Sequence, residues 1–318
     1  MRTLPGKLIT IFDEDWSQRY YLVHASSDQD SGSYYRFDTA QNVLLSISSA
    51  YPTLKDRQLL PMREIRYAAR DGVEVPAYLT LPAAAGPGPK KPAVVLPHGG
   101  PSSRDYWSYD FLVQYLAASG YVVLQSNYRG SDGYGAEWLG AGGFRNWRVA
   151  IGDIVDGAEY LAREGIADPE RICAVGWSYG GYAALMSAIE QPQRFRCVVS
   201  IAGVTDPLAL GFNSRRFVGG LAAQTFIGVG DDIAGGSPVE RAAELAPPVL
   251  LVHGERDLNV PFSQSDALAR ALGRAKKSVQ FVEYEFAQHD IEPERYRIDM
   301  LTRIGEFLAK NLGAARDP

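Results

Sequence analysis

At 318 residues the chain is long enough for one large α/β domain with a substantial core, or for such a domain plus an appendage. A composition of 46% hydrophobic and 22% charged residues excludes a disordered or low-complexity chain. The net charge of −5, with no basic run longer than Arg215-Arg216 or Lys276-Lys277, speaks against a nucleic-acid partner, and no run approaches the roughly 18 apolar residues of a membrane span.

The N-terminal MRTLPGKLITIFDEDW has no apolar stretch followed by a small-residue cleavage site, so a cytoplasmic location is expected. Residues 1 to about 60 carry the short runs KLITIF, RYYLVHAS, SYYRFD and VLLSIS, separated by Asp, Ser, Gly and Asn clusters. This pattern predicts short antiparallel strands and hairpins. After Leu60 the rhythm changes. PAVVLPHGG, YVVLQSNYRG, RICAVGWS, RCVVSIAG and PVLLVHGERD read as buried strands. Between and after them, WSYDFLVQYLAASG, NWRVAIGDIVDGAEYLAREG, GGYAALMSAIEQP, FSQSDALARALGRA and ERYRIDMLTRIGEFLAKNL repeat apolar residues at three- and four-residue spacing, as helices packed on a sheet do. The alternation predicts a mostly parallel sheet with helices on both faces, whose functional residues gather in loops at the carboxyl ends of the strands. Residues 1–60 and 61–318 are thus expected to form separate parts, and neither shows a repeat of solenoid or propeller period. Cys173 and Cys197 fall inside apolar strand-like runs and are expected to be buried free thiols.

GWSYGGY, residues 176–182, places Ser178 on a strand-to-helix turn with Gly176 and Gly180 on either side. A sharp turn with little bulk around it lifts a serine oxygen clear of the sheet at a helix N-terminus, the form of a nucleophile elbow. A serine hydroxyl is a poor nucleophile until a positioned base takes its proton. Of the four histidines, His24, His98, His253 and His289, only the last two follow the serine, as the Ser, Asp, His order of α/β-hydrolases requires. Only His289 has a strand-end acid before it: Asp257 in LLVHGERD, placed to orient the imidazole and stabilise its protonated form. Asp206 follows the wrong strand and Asp290 adjoins the base itself, so both are weaker rivals. The oxygen that becomes negative in acyl transfer needs donors, expected from the backbone N–H of Tyr179 and from the HGGP loop, residues 98–101.

These pieces, with ARDGVEVPAYLTLP (68–82), NYRGSDGYG, SPVERAAELAPPVLLVHGERDLNVP and the HD of FAQHD, occur in order over about residues 60–315. Together they resemble the catalytic domain of the prolyl oligopeptidase family of serine peptidases, most closely its acylaminoacyl-peptidase-like branch. The resemblance implies an α/β-hydrolase fold with Ser178 as nucleophile, Asp257 as orienting acid and His289 as general base. Relatives specific for prolyl bonds carry, at the position of His98, a tyrosine that helps form the oxyanion hole. With histidine there, the resemblance implies a backbone amide as second donor, Gly100 in preference to Gly99. Asn259 falls where dipeptidyl-peptidase relatives place an asparagine that contacts a substrate carbonyl. Pro101 and Val260 are read with it as substrate-binding residues. Family members usually carry a β-propeller over the active site. Residues 1–60 resemble a fragment of a last blade, whose exposed strand edges would invite pairing with a second copy.

The expected chemistry is acyl transfer without metal or cofactor, on a small ester or a short peptide. An amide leaving group must be protonated as it departs, whereas an activated ester leaves readily. A site without a propeller is therefore expected to keep ester cleavage more easily than peptide cleavage. The rival from another class is a non-catalytic binding relative, against which stands a competent residue type at every triad and oxyanion position. The long segment Asp206–Leu245 is expected to form helices over the site, with Phe212, Phe217 and Phe226 as candidate pocket walls or ordinary core. Arg215 and Arg216 are candidates to meet an acidic substrate group, the plainer reading being a solvated surface pair.

Overall fold

The computed structural model describes residues 3–54, 57–83, 90–215 and 218–313. The N-terminal runs pair as an antiparallel meander of β1 (Leu8–Glu14), β2 (Tyr20–Ser27), β3 (Asp30–Asp38) and β4 (Val43–Ser49), in that order across one sheet. The outer strands β1 and β4 are largely exposed, whereas Asp28, in the turn between β2 and β3, is buried. There Asp28 Oδ2 accepts the Met62 N–H at 2.8 Å. The buried Gln114 side chain donates to the carbonyls of Leu60 and Asp28 at 2.8 and 3.1 Å and accepts the Leu60 N–H at 2.9 Å.

The second sheet is built from β5 (Met62–Ala68), β6 (Glu74–Thr80), β7 (Lys91–Val95), β8 (Val122–Ser126), β9 (Ala167–Trp177), β10 (Cys197–Ile201), β11 (Val249–Gly254) and β12 (Val279–Tyr284). Their order is β12-β11-β10-β9-β7-β8-β6-β5. All pairs from β12 to β8 are parallel, and β6 runs antiparallel to both β8 and β5. The helices are α1 (Phe111–Ala118), α2 (Ala136–Gly140), α3 (Trp147–Arg163), α4 (Tyr179–Glu190), α5 (Pro207–Ser214), α6 (Gly220–Ile227), α7 (Asp231–Gly235), α8 (Ser263–Arg274) and α9 (Glu294–Leu312). One apolar layer joins the sheet to α3, α4 and α8, and the other joins it to α1 and α9. Covered on both sides, β10 and β11 are buried at every position. Alternate residues serve opposite layers, Val249 and Leu251 one, Leu250 and Val252 the other.

Local chemistry sets the helix starts and faces. Asp110 caps α1 by accepting the N–H groups of Leu112 and Val113 at 2.8 and 2.9 Å. Ile151, Ile154, Val155, Ala158 and Leu161 make the buried stripe of α3 at the spacing seen in the sequence. This is the α/β-hydrolase architecture expected, with the antiparallel pair β5 and β6 added at one edge. Among the described residues no helix is long and apolar enough to cross a membrane.

One expectation is overturned. Cys173 and Cys197 are buried but not free: they face each other in register across β9 and β10, with Cα atoms 4.8 Å apart, and are joined as a disulfide. The pairing depends on the register of two parallel strands, which spacing along the chain does not reveal. Disulfides persist chiefly in oxidising compartments, so this pair lends no support to the cytoplasmic expectation.

Candidate active site

Ser178 is the single residue between β9 and α4, with φ +60° and ψ −122°. An L-residue holds such a conformation only when its surroundings impose it. Here its N–H donates to Ile201 O at 2.8 Å and its carbonyl accepts the Tyr182 N–H at 3.1 Å. The turn also needs its glycines. A Cβ on Gly176 would lie 2.1 Å from Gly180 O, and one on Gly180 would lie 2.1 Å from Pro97 O. The serine is thereby set at the carboxyl end of the sheet, at the N-terminus of α4, where the first backbone N–H groups have no partner within the helix.

Asp257 follows β11 and is 5% exposed. Its Oδ1 accepts the N–H groups of Asn259 and Val260 at 2.9 and 2.8 Å. Its Oδ2 meets His289 Nδ1 at 2.7 Å and lies 3.2 Å from His253 Nε2. Burial pushes the carboxyl up, but His253, His289 and the Val260 N–H outweigh it and hold Asp257 at about 2. The group is therefore a carboxylate throughout the neutral range. A carboxylate only accepts, so His289 carries a proton on Nδ1, and Nε2 is left to take one.

His289 lies in the loop between β12 and α9, and two bonds fix that loop against the rest of the site. Trp177, the residue before Ser178, donates its Nε1–H to His289 O at 3.0 Å, and the Arg256 N–H donates to Ala287 O at 3.0 Å. Ser178, Asp257 and His289 are thus carried by the loops after β9, β11 and β12, at one end of the sheet. Among the described residues no hydrogen bond joins Ser178 Oγ to His289, a contact that in such sites is often long until substrate is bound.

The HGGP loop passes beside the serine: a Cβ on Gly99 would lie 3.2 Å from Trp177 O and 3.4 Å from Ser178 Cβ. It is braced from below. The His98 ring stacks on Tyr128 with centroids 4.3 Å apart, its Nε2 meets Ser131 Oγ at 2.7 Å, and Tyr128 OH donates to His98 O at 2.8 Å. Burial depresses His98 to about 4, leaving the ring neutral at pH 7, and both ring nitrogens are engaged, Nδ1 with Gly99 O at 2.7 Å. His98 therefore holds the loop and offers no charge to an oxyanion. The Tyr179 ring is buried against Phe144 and Tyr128, with centroids 4.8 and 5.9 Å away.

The remaining predicted residues divide. Asn259 is exposed beside Asp257, but Val260 is 4% exposed and Pro101 is buried, so neither offers much side chain to a substrate. Asp206 caps α5 by accepting the Ala209 N–H at 2.9 Å, and Asp290 is exposed. Asp206–Leu245 does form helices, α5 to α7, but Phe212 and Phe226 are 55% and 51% exposed and are not core. Phe226 lines a cleft of about 280 Å³ with Ser102, Leu139, Phe144 and Arg145. Arg215 stacks on Phe212 at 5.8 Å and donates to Gln224 at 2.7 Å, a surface arrangement. Arg216 and Phe217 lie outside the described residues. The sequence pointed to no role for Trp177, and His253 entered only as the rejected alternative to His289. The only signals for them are adjacency to Ser178 and a four-residue spacing from Asp257.

Residues 107–315, more than half of the chain, match the Prolyl oligopeptidase family. Dipeptidyl aminopeptidase BIII of Pseudoxanthomonas mexicana is 29% identical over 324 residues, covering 97% of this chain and 46% of that protein. A puromycin-hydrolyzing peptidase of Mycobacterium tuberculosis superposes with a TM-score of 0.82 at 27% identity, over 93% of this chain and 46% of the other. An acylaminoacyl peptidase of Pyrococcus horikoshii shares the fold with a TM-score of 0.84 at 24% identity, over 98% and 51% of the two chains. The chain spans about half the length of these relatives.

Proposed function

The chain belongs to the prolyl oligopeptidase family, and from that premise we propose that it is a serine hydrolase of peptidase type, cleaving short peptides and small acyl esters through an acyl-enzyme. Ser178 Oγ attacks the acyl carbon while His289 Nε2 takes its proton, and Asp257 steadies the imidazolium. The oxyanion is held by the N–H groups of Tyr179 and Gly100. Collapse breaks the bond to the leaving group, which departs with the proton from His289. Water then attacks the acyl-serine with His289 again as base, releasing the acid and restoring Ser178. The scheme calls on no metal or cofactor.

The observation that carries this reading is the 2.7 Å bond from His289 Nδ1 to a carboxylate held at about 2, beside a serine in a strained strand-to-helix turn. A histidine held this way can protonate an amine as it leaves, which favours amide as well as ester cleavage. The names of the relatives, an aminopeptidase and an acylaminoacyl peptidase, support the same choice. The test compares short-chain p-nitrophenyl esters with N-acetyl-aminoacyl and prolyl p-nitroanilides at matched concentration, for wild type and Ser178→Ala. Turnover of both classes, lost in the variant, is expected. Ester turnover alone would reduce the activity to that of an esterase, and turnover surviving in Ser178→Ala would overturn the proposal.

A further inference from the structure

Given the chemistry proposed for Ser178, Asp257 and His289, a second histidine stands beside the same carboxylate. His253 is fully buried near the end of β11. Its Nδ1 meets Ser265 Oγ of α8 at 2.7 Å, its Nε2 meets Val260 O at 2.9 Å, and the same Nε2 lies 3.2 Å from Asp257 Oδ2. A carbonyl oxygen only accepts, so Nε2 carries a proton. That N–H is aimed at Val260 O, and its nitrogen lies 3.2 Å from the carboxylate oxygen that accepts from His289. Val260 in turn donates its own N–H to Asp257 Oδ1 at 2.8 Å. The contacts form a closed circuit through His253, Val260 and Asp257, anchored to α8 on one side and opening onto His289 on the other.

We propose that His253 is a positioning residue for the Asp257–His289 pair: it locks the turn that carries Asp257 and moderates the negative charge that Oδ2 presents to His289. A second N–H beside a carboxylate oxygen disperses part of its charge, so the neighbouring imidazole holds its proton less tightly. Among the described residues, the titratable side chains in contact with Asp257 are His253 from β11 and His289 from the loop after β12. A histidine that merely satisfied core partners would affect folding and leave the pH dependence of the site where it was.

The experiment measures the second-order rate of fluorophosphonate labelling at Ser178 against pH in the full chain, with a thermal melt for each variant. His253→Phe keeps much of the volume and removes the N–H. It is expected to slow labelling about tenfold, the scale of one hydrogen bond to a charged group. It should also move the acid limb to higher pH, because the bared Oδ2 holds the His289 proton more strongly. His253→Gln can place an N–H near the position of Nε2, whereas His253→Asn reaches only the position of Nδ1. The limb is therefore expected to stay near wild type in the first and to rise in the second. A folded His253→Phe with an unmoved limb would overturn the proposal. If that variant does not fold, the pair decides: a limb raised in His253→Asn but not in His253→Gln supports it, and the same limb in both overturns it. Failure of wild type to label at Ser178 would instead remove the hydrolase chemistry itself.

Discussion

At the scale of single residues, backbone and side chains share the work. Two glycines let Ser178 take φ +60°, and four contacts around one carboxylate fix Asp257 and turn His289. Asp257→Asn would place an amide where His289 Nδ1–H needs an acceptor, favouring the wrong tautomer. Labelling of Ser178 is expected to fall by about 10⁴-fold, the size of such a loss in a Ser-His-Asp site. The same variant tests the acid side of the stability curve. Asp257 is held below its ordinary value, so it contributes stability that is present above about pH 4 and lost as pH falls through about 2. Chemical denaturation should show wild type losing stability across that window and Asp257→Asn losing less. The gathering of Ser178, Asp257 and His289 at one end of the sheet was legible, because acyl-transfer chemistry calls for those residue types in that chain order. His253 and the Cys173–Cys197 pair were not, because a turn and a strand register, rather than the local sequence, bring their partners to them.

At the scale of elements, the loop after β8 is held to α3 by one buried ion pair. Arg129 Nη2 lies 2.6 Å from Asp153 Oδ1, its backbone N–H donates to Asp153 Oδ2 at 2.9 Å, and Asp71 flanks it at 2.5 Å. The Asp153 side chain has no exposed surface, and burial pushes its carboxyl up even with Arg129 beside it. Arg129→Met would leave that carboxyl unpaired and is expected to cost about 3–5 kcal/mol in urea unfolding. Adding Asp153→Leu should restore most of the loss, because the penalty belongs to the unpaired charge. A single variant as stable as wild type would contradict the account. Helices α1, α3, α8 and α9 were readable from three- and four-residue spacing because each buries one stripe, whereas α4, buried from Tyr179 to Ile189, was readable from its run of small and apolar residues after the serine. The pair β5 and β6 was not, since a hairpin at a sheet edge needs no helix between its strands and so breaks the alternation that marks the others.

At the scale of the whole molecule, two sheets that share no strand are joined through a few polar contacts. The change of rhythm near Leu60 falls between β4 and β5, because antiparallel hairpins and buried parallel strands differ in how apolar residues recur. How the parts are held together was not legible, since it depends on Gln114 of α1, on Asp28 where it accepts the Met62 N–H, and on Tyr51 against Tyr109, residues far apart in the chain. Gln114→Ala would strip partners from Leu60 and Asp28, costing about 1–3 kcal/mol at the buried Asp28 carbonyl and less at half-buried Leu60. Amide exchange is expected to quicken in β1 to β4 while the large sheet and the labelling rate at Ser178 are unchanged; equal exchange in both proteins would contradict the joint described.

The central claim is that Ser178 is a nucleophile activated by His289 and Asp257. Its most direct test is intact-mass and peptide mapping after fluorophosphonate treatment of wild type, Ser178→Ala and His289→Ala. One adduct on Ser178 is expected in wild type, none in Ser178→Ala and slow labelling in His289→Ala. A folded wild-type chain with no adduct, or an adduct elsewhere that persists in Ser178→Ala, would contradict it.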